Sequence, residues 1–190
     1  MFNLSIYLER NFNKEYKEAR KASRLLQEFA EFKGLEKSLI HEMCLGTELN
    51  KIGYVSLPKV ITCKLKYNKQ LTLEERDEYK KYPLRGIEIL SRKYKKEYDN
   101  SIIIGIILES KERFDGKGFP LGLSGDQINE TSYLAMIVIW FIEQICEGDT
   151  ICEILNKLER DQGMVPQGIR DDFIRFISQK NDKIQEIIRN

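Results

Sequence analysis

A chain of 190 residues suits a single domain with a sizeable core. Charged residues make up 32% of it, yet Lys+Arg 31 nearly balances Asp+Glu 30, and a net charge of +1 offers no basic field for a nucleic-acid polymer or an anionic membrane. The longest uninterrupted apolar run, Tyr133 to Ile142, is too short to span a bilayer. The first residues, Met1 to Arg10, lack the order of a signal peptide, so a cytoplasmic protein is expected.

Cys44, Cys63, Cys146 and Cys152 form no Cys-x-x-Cys pair, and reduced, mostly buried thiols are the expectation. His41 is the sole histidine. A transition-metal site built on imidazoles needs more than one, so this sequence cannot supply it.

In chain order, residues 1–12 read as a short mixed segment. From Asn13 to Phe32, Ala19, Ala22, Leu25, Leu26, Phe29 and Ala30 recur at helical spacing, and Gly34 is the natural stop. Leu35 to Leu45 predicts a second helix with Leu39, Ile40, Met43 and Cys44 inward and His41 partly exposed. Thr72-x-x-Glu75 is a capping box that opens a helix, and Pro83 begins the next, which carries Ile87, Ile89 and Leu90. Ile102–Leu108 is an apolar helix. Ser124-x-x-Gln127 is a second capping box, followed by a helix ending near Cys146 whose apolar residues point all round, which implies burial on every side. Thr150-x-x-Glu153 is a third box, Gly163 is read as a C-cap, and Pro166 fits the first turn of a further helix. Phe176 to Ile188 closes the chain as an amphipathic helix. Neither β-type alternation, nor a repeat, nor a linker is visible. The expectation is one all-α domain over 13–190, preceded by the segment 1–12.

Between Ile102–Leu108 and Tyr133–Ile142 lies Glu109-Ser-Lys-Glu-Arg-Phe-Asp-Gly-Lys-Gly-Phe-Pro120, then Leu-Gly-Leu-Ser-Gly125. Gly and Pro prevent either helix from continuing through it. The stretch mixes the charges of Arg113, Asp115 and Lys117 with the aromatics Phe114 and Phe119. A structured loop pinned by its two Phe side chains and a functional loop both remain open on composition.

Glu112-Arg-Phe-Asp-Gly-Lys-Gly-Phe-Pro120 resembles the Glu-Arg-x-Asp-Gly-x-Gly-Tyr-Pro signature of HD-GYP domains, metal-dependent phosphodiesterases that hydrolyse cyclic di-GMP in bacteria. Phe119 replaces the usual Tyr. The resemblance implies a single HD-domain-like helical bundle of about seven to nine helices. It extends to Leu45-Gly-Thr-Glu-Leu-Asn-Lys-Ile-Gly53, where the family has His-Asp-Ile-Gly-Lys-Ile-Gly, and to the helix pair that follows Ile154. The metal-ligand positions that the resemblance implies fall on Glu18, Thr47, Glu48, Tyr82, Ser110, Lys111 and Ile139, with Glu143 one turn after Ile139. None carries the family residue. Thr, Tyr, Ser and Ile are poor or impossible ligands for ions that must polarise a phosphate, and an ammonium at Lys111 opposes cation entry.

On this reading no catalytic residue, metal or cofactor is expected, and the chain is expected not to be an enzyme. It is read as a degenerate HD-GYP-like regulatory domain that acts by protein–protein interaction, by cyclic di-GMP binding, or by both. Lys51, Arg113, Asp115, Lys117 and Phe119 are the ligand-binding or docking candidates that the resemblance implies, and a diguanylate cyclase (GGDEF) domain is a possible partner. The alternative is a cyclic di-GMP phosphodiesterase with an altered site in which Glu18, Glu48, Glu109 or Glu112 holds Mg²⁺. A purely structural helical domain is the third reading. If the family fold holds, Lys111 should point into the former metal site and face Glu48, together with Glu18.

Overall fold

The computed structural model describes residues 9–10, 12–93 and 100–189. Most of the expected N-terminal segment 1–12 therefore lies outside the described residues. Among those described there is no strand, and no helix is long and apolar enough to cross a membrane. The all-α expectation holds.

The helices are α1 (Asn13–Phe32), α2 (Lys37–Glu48), α3 (Lys59–Lys66), α4 (Leu73–Tyr79), α5 (Tyr82–Lys93), α6 (Ser101–Glu109), α7 (Glu130–Glu147), α8 (Ile151–Arg160), α9 (Gln167–Gln179) and α10 (Asn181–Arg189), with 3₁₀ turns at Ile52–Ser56 and Gly125–Gln127. α7 is the axis. Every residue from Ser132 to Ile139, together with Phe141 and Ile142, is buried, as its apolar run requires. The inner stripe of α1 packs on one side of it, and Phe29 meets Phe173 and Phe176 of α9 with ring centroids 5.1 and 5.2 Å apart. A second cluster of Leu49, Ile52, Leu90, Ile103 and Ile107 joins α5, α6 and the first 3₁₀ turn.

Local signals set most boundaries. Gly34 has φ +75, the left-handed conformation that ends a helix cheaply only at glycine. Thr72 and Thr150 form the expected capping boxes. Ser124-x-x-Gln127 does not open the long helix; it shapes one 3₁₀ turn, and α7 begins only at Glu130. Gly163 is not the C-cap, because α8 ends at Arg160 with Asp161 as the cap. A Cβ on Gly163 would overlap the Asp115 carboxylate, so close approach is what demands glycine there. Pro166 stands just before α9 as its N-cap. The thiols depart from expectation as well: all are free, but Cys63, Cys146 and Cys152 are exposed and only Cys44 is half-buried.

Candidate functional site

Four charged side chains meet where α1, the end of α2, the end of α6 and α7 converge. Glu18 precedes the buried Ala19 of α1, Lys51 follows α2, Lys111 follows the C-cap Ser110 of α6, and Glu143 follows the buried Ile142 of α7. Lys51 Nζ lies 2.8 Å from Glu18 Oε2 and 3.2 Å from Glu143 Oε1. Lys111 Nζ donates to the other Glu143 oxygen, Oε2, at 2.6 Å. Glu143 thus bridges two ammonium groups with one oxygen for each.

Burial would push the Glu143 carboxyl up, but the ammoniums of Lys111 and Lys51 overcome it and hold the group at about 2. Lys51 is raised above its ordinary value. Burial opposes this, and the carboxylates of Glu143 and Glu18 outweigh it. The cluster forms the floor of a cleft of about 360 Å³ whose walls include Lys14, Tyr54, Asn68, Tyr79 and Glu147. The Tyr54 and Tyr79 hydroxyls are hydrogen-bonded to each other at 2.9 Å.

The expected ligand positions separate into those that reach this place and those that do not. Glu18, Lys51, Ile139 and Glu143 share one narrow crevice, and Lys111 enters the cluster from α6. The expectation that Lys111 faces Glu48 needs correction. Its partner is Glu143, and Glu48 lines a separate crevice beside Phe12 and Tyr16. Glu48 ends α2 and shares that crevice with Glu15, Ala19 and Lys51. Thr47 is fully buried with an unpartnered hydroxyl, and the neighbouring Asn50 keeps its Oδ1 unpartnered while its Nδ2 donates to the Thr47 carbonyl at 2.6 Å. Tyr82 is fully buried among Tyr54, Tyr79 and Phe119. Its hydroxyl lacks a hydrogen bond, and burial pushes its pKa well above the ordinary value. Ser110 is buried and donates to the Ile107 carbonyl.

The loop candidates are committed elsewhere. Arg113 forks onto Asp161 with bonds of 2.9 and 2.7 Å and also reaches both oxygens of Asp115. Its hydrogen bonds hold Asp115 at about 2. Arg113 therefore ties the loop to the α8–α9 connection and lies apart from the Lys51 cluster. Lys117 is the exposed candidate, with 81% of its side chain accessible. Phe119 is half-buried, its ring 5.9 Å from Tyr79. The exposed apolar side chains of this loop are instead Phe114 and Leu121.

Glu112 and Glu109 are structural. The buried Glu112 carboxylate accepts from the Leu121 and Leu123 amides at 2.6 and 3.0 Å, and Glu109 accepts from both the backbone and the side chain of Asn129. Sequence reasoning missed Glu143 and Asp161 as partners. For Glu143 a signal existed: it is the first acid after an all-apolar helical run, on a turn that is still partly buried.

The residues present do not fit the metal centre that the resemblance implied. No group of three or more His, Cys, Asp or Glu side chains converges among the described residues. The carboxylates at the cluster are Glu18 and Glu143, both already neutralised by ammonium groups, and the unpartnered oxygens of Thr47, Asn50 and Tyr82 are neutral. His41 is exposed on a different face, beside Glu31 and Cys44.

A family profile described as HD domain matches residues 4–145, and the chain belongs to that family. It is similar to a protein of Borreliella burgdorferi named cyclic di-GMP phosphodiesterase PdeB, with 34% identity over 96 residues, which is 50% of this chain and 24% of the relative. The chain thus matches about a quarter of that relative's length. The HD domain match and a relative named a phosphodiesterase overturn the expectation that the chain is not an enzyme. Substituted ligand positions were the ground for that expectation, and they do not outweigh the kinship.

Proposed function

We propose that this chain is an HD-GYP-type domain of bacterial second-messenger signalling that recognises cyclic di-GMP at the cleft above the Lys51–Lys111 cluster. The observation that carries the reading is a pair of ammonium groups at the floor of a cleft of about 360 Å³, in a chain whose relative is named a cyclic di-GMP phosphodiesterase. A cyclic dinucleotide presents two anionic phosphodiesters. Lys51 and Lys111 at the floor, with Lys14 at the wall, are the cations that would meet them, and the Tyr54 and Tyr79 hydroxyls add neutral donors. The same cleft also carries Glu15, Glu18, Glu143 and Glu147. Phosphate uptake therefore requires Lys111, with 19% of its side chain accessible, to turn from Glu143. Binding should accordingly be weak and should fall with added salt.

Isothermal titration with cyclic di-GMP tests this. Heat should be measurable at low ionic strength and lost in Lys51→Met and Lys111→Met, each checked for folding by circular dichroism. Absence of heat at any salt, or undiminished binding in both variants, would overturn it. Because the kinship points to a hydrolase, the same samples should be assayed for linear product with and without Mn²⁺; product in proportion to enzyme extends recognition to turnover.

A second reading is docking of a partner such as a diguanylate cyclase (GGDEF) domain on the 113–125 loop. It is favoured by the exposure of Phe114 at 41% and Leu121 at 52%. Partner binding that is lost in Phe114→Ala and kept in Lys51→Met would select it.

A further inference from the structure

Metal ions in a helical bundle do structural work as well as chemistry, because a cation held by residues from several helices ties those helices together. The cluster of Glu18, Lys51, Lys111 and Glu143 performs the same mechanical task with side chains alone. Its bonds span 33 residues between Glu18 and Lys51 and 32 between Lys111 and Glu143. They connect α1, the α2 end, the α6 end and α7. Two ammoniums balance two carboxylates, and Glu143 divides its oxygens between them at 3.2 and 2.6 Å.

We infer that Lys111, beside Lys51, takes the place of a bound cation, so that this brace forms without a metal ion and the site rejects divalent cations while both lysines are present. A divalent ion entering here would meet two ammoniums within a few ångströms in a partly buried setting, where such repulsion is screened less than in water. Glu18 and Glu143, the carboxylates of the brace, are already paired with ammoniums, and Glu15 and Glu147 line the cleft outside it. The unpartnered oxygens of Thr47, Asn50 and Tyr82 bring no compensating charge. Removing both ammoniums reverses the balance: Glu18 and Glu143 are left facing each other's charge, and a partly buried carboxylate pair is the donor set that Mg²⁺ or Mn²⁺ accepts. The inference concerns the fold alone and does not depend on recognition of a nucleotide.

Thermal unfolding without nucleotide tests it. The melting temperature of the wild-type chain should be the same in EDTA and in Mn²⁺, and the purified protein should carry less than one equivalent of metal. The K51M/K111M variant should melt below the wild type in EDTA and rise on addition of Mn²⁺. If that variant does not fold in EDTA, folding should be recovered in Mn²⁺. A wild-type chain that melts earlier in EDTA or retains a full equivalent of metal would overturn the inference. So would a K51M/K111M variant that matches the wild type in EDTA, or one that Mn²⁺ neither stabilises nor restores.

Discussion

At the scale of single residues, Glu143 shows how a half-buried acid can be kept ionised. Its carboxyl lies at about 2 against an ordinary 4.5, because Lys111 and Lys51 outweigh the cost of burial. A carboxyl depressed in the folded state adds stability that is fully present above its unfolded pKa and is lost as the pH falls through its folded pKa. The window is therefore from about 4.5 down to about 2. Glu143→Gln should lower stability near neutrality by about 1–2 kcal/mol, a figure at the low end for a charged hydrogen bond because the side chain is not fully shielded. It should also flatten the acid slope across that window without abolishing it, since Asp115 is held at about 2 by Arg113 and titrates in the same range. Urea melts at stepped pH measure both effects. A slope identical to the wild type would mean that Glu143 is not ionised by its lysines.

At the scale of elements, close backbone contact decides which glycines are needed. Gly53, in the first 3₁₀ turn, lies against the start of α5, and a Cβ there would overlap the Tyr82 carbonyl. The obstacle is backbone, which cannot swing aside. Gly53→Ala should therefore cost about 3 kcal/mol and separate α5 from the turn. Gly168, in the first turn of α9, has nothing beyond its own stretch of helix backbone within 4 Å of the place a methyl group would take, and its φ is ordinary. Gly168→Ala should stabilise the chain by about 0.4–1 kcal/mol, because alanine loses less backbone entropy on folding. Paired chemical denaturation of the two variants is the measurement, and equal effects of the same sign would refute the packing argument. The 113–125 loop obeys the same logic, with Gly118 pressed against the Glu112 backbone and Gly163 against Asp115.

At the scale of the whole molecule, the HD domain match ends at residue 145, while α8, α9 and α10 lie beyond it. Packing makes them part of the same core. Phe173 of α9 is fully buried and lies 5.1 Å from Phe29 of α1 and 5.5 Å from Phe141 of α7. Phe173→Ala should cost about 3–5 kcal/mol. Because Trp140 is the sole tryptophan and sits on α7, its fluorescence reports the axis of the bundle. Fluorescence and circular dichroism should lose signal together in this variant, as expected for one cooperative unit. A Trp140 transition that stays at the wild-type midpoint while helicity falls earlier would show that the C-terminal helices unfold on their own.

Signals between near neighbours could be read from the amino-acid order alone. Helical spacing from Ala19 to Ala30 placed α1, the apolar run after Tyr133 announced a helix buried all round, and Thr72 with Glu75 and Thr150 with Glu153 marked two helix starts. Each of these signals acts across a turn or two of chain. Ser124 with Gln127 carried the same local pattern, yet it caps only one 3₁₀ turn, because the Asn129–Glu109 bonds set where α7 begins. The site was legible as a region, since Glu18, Lys51, Ile139 and Lys111 do gather near one place. Its pairings were not. Lys111 meets Glu143 instead of Glu48, and Arg113 meets Asp161 48 residues away. Side chains this long and this flexible take whichever opposite charge the packed helices present. Which charge that is depends on the relative rotation of α6, α7 and α8, and that rotation is fixed by the shape of the shared core.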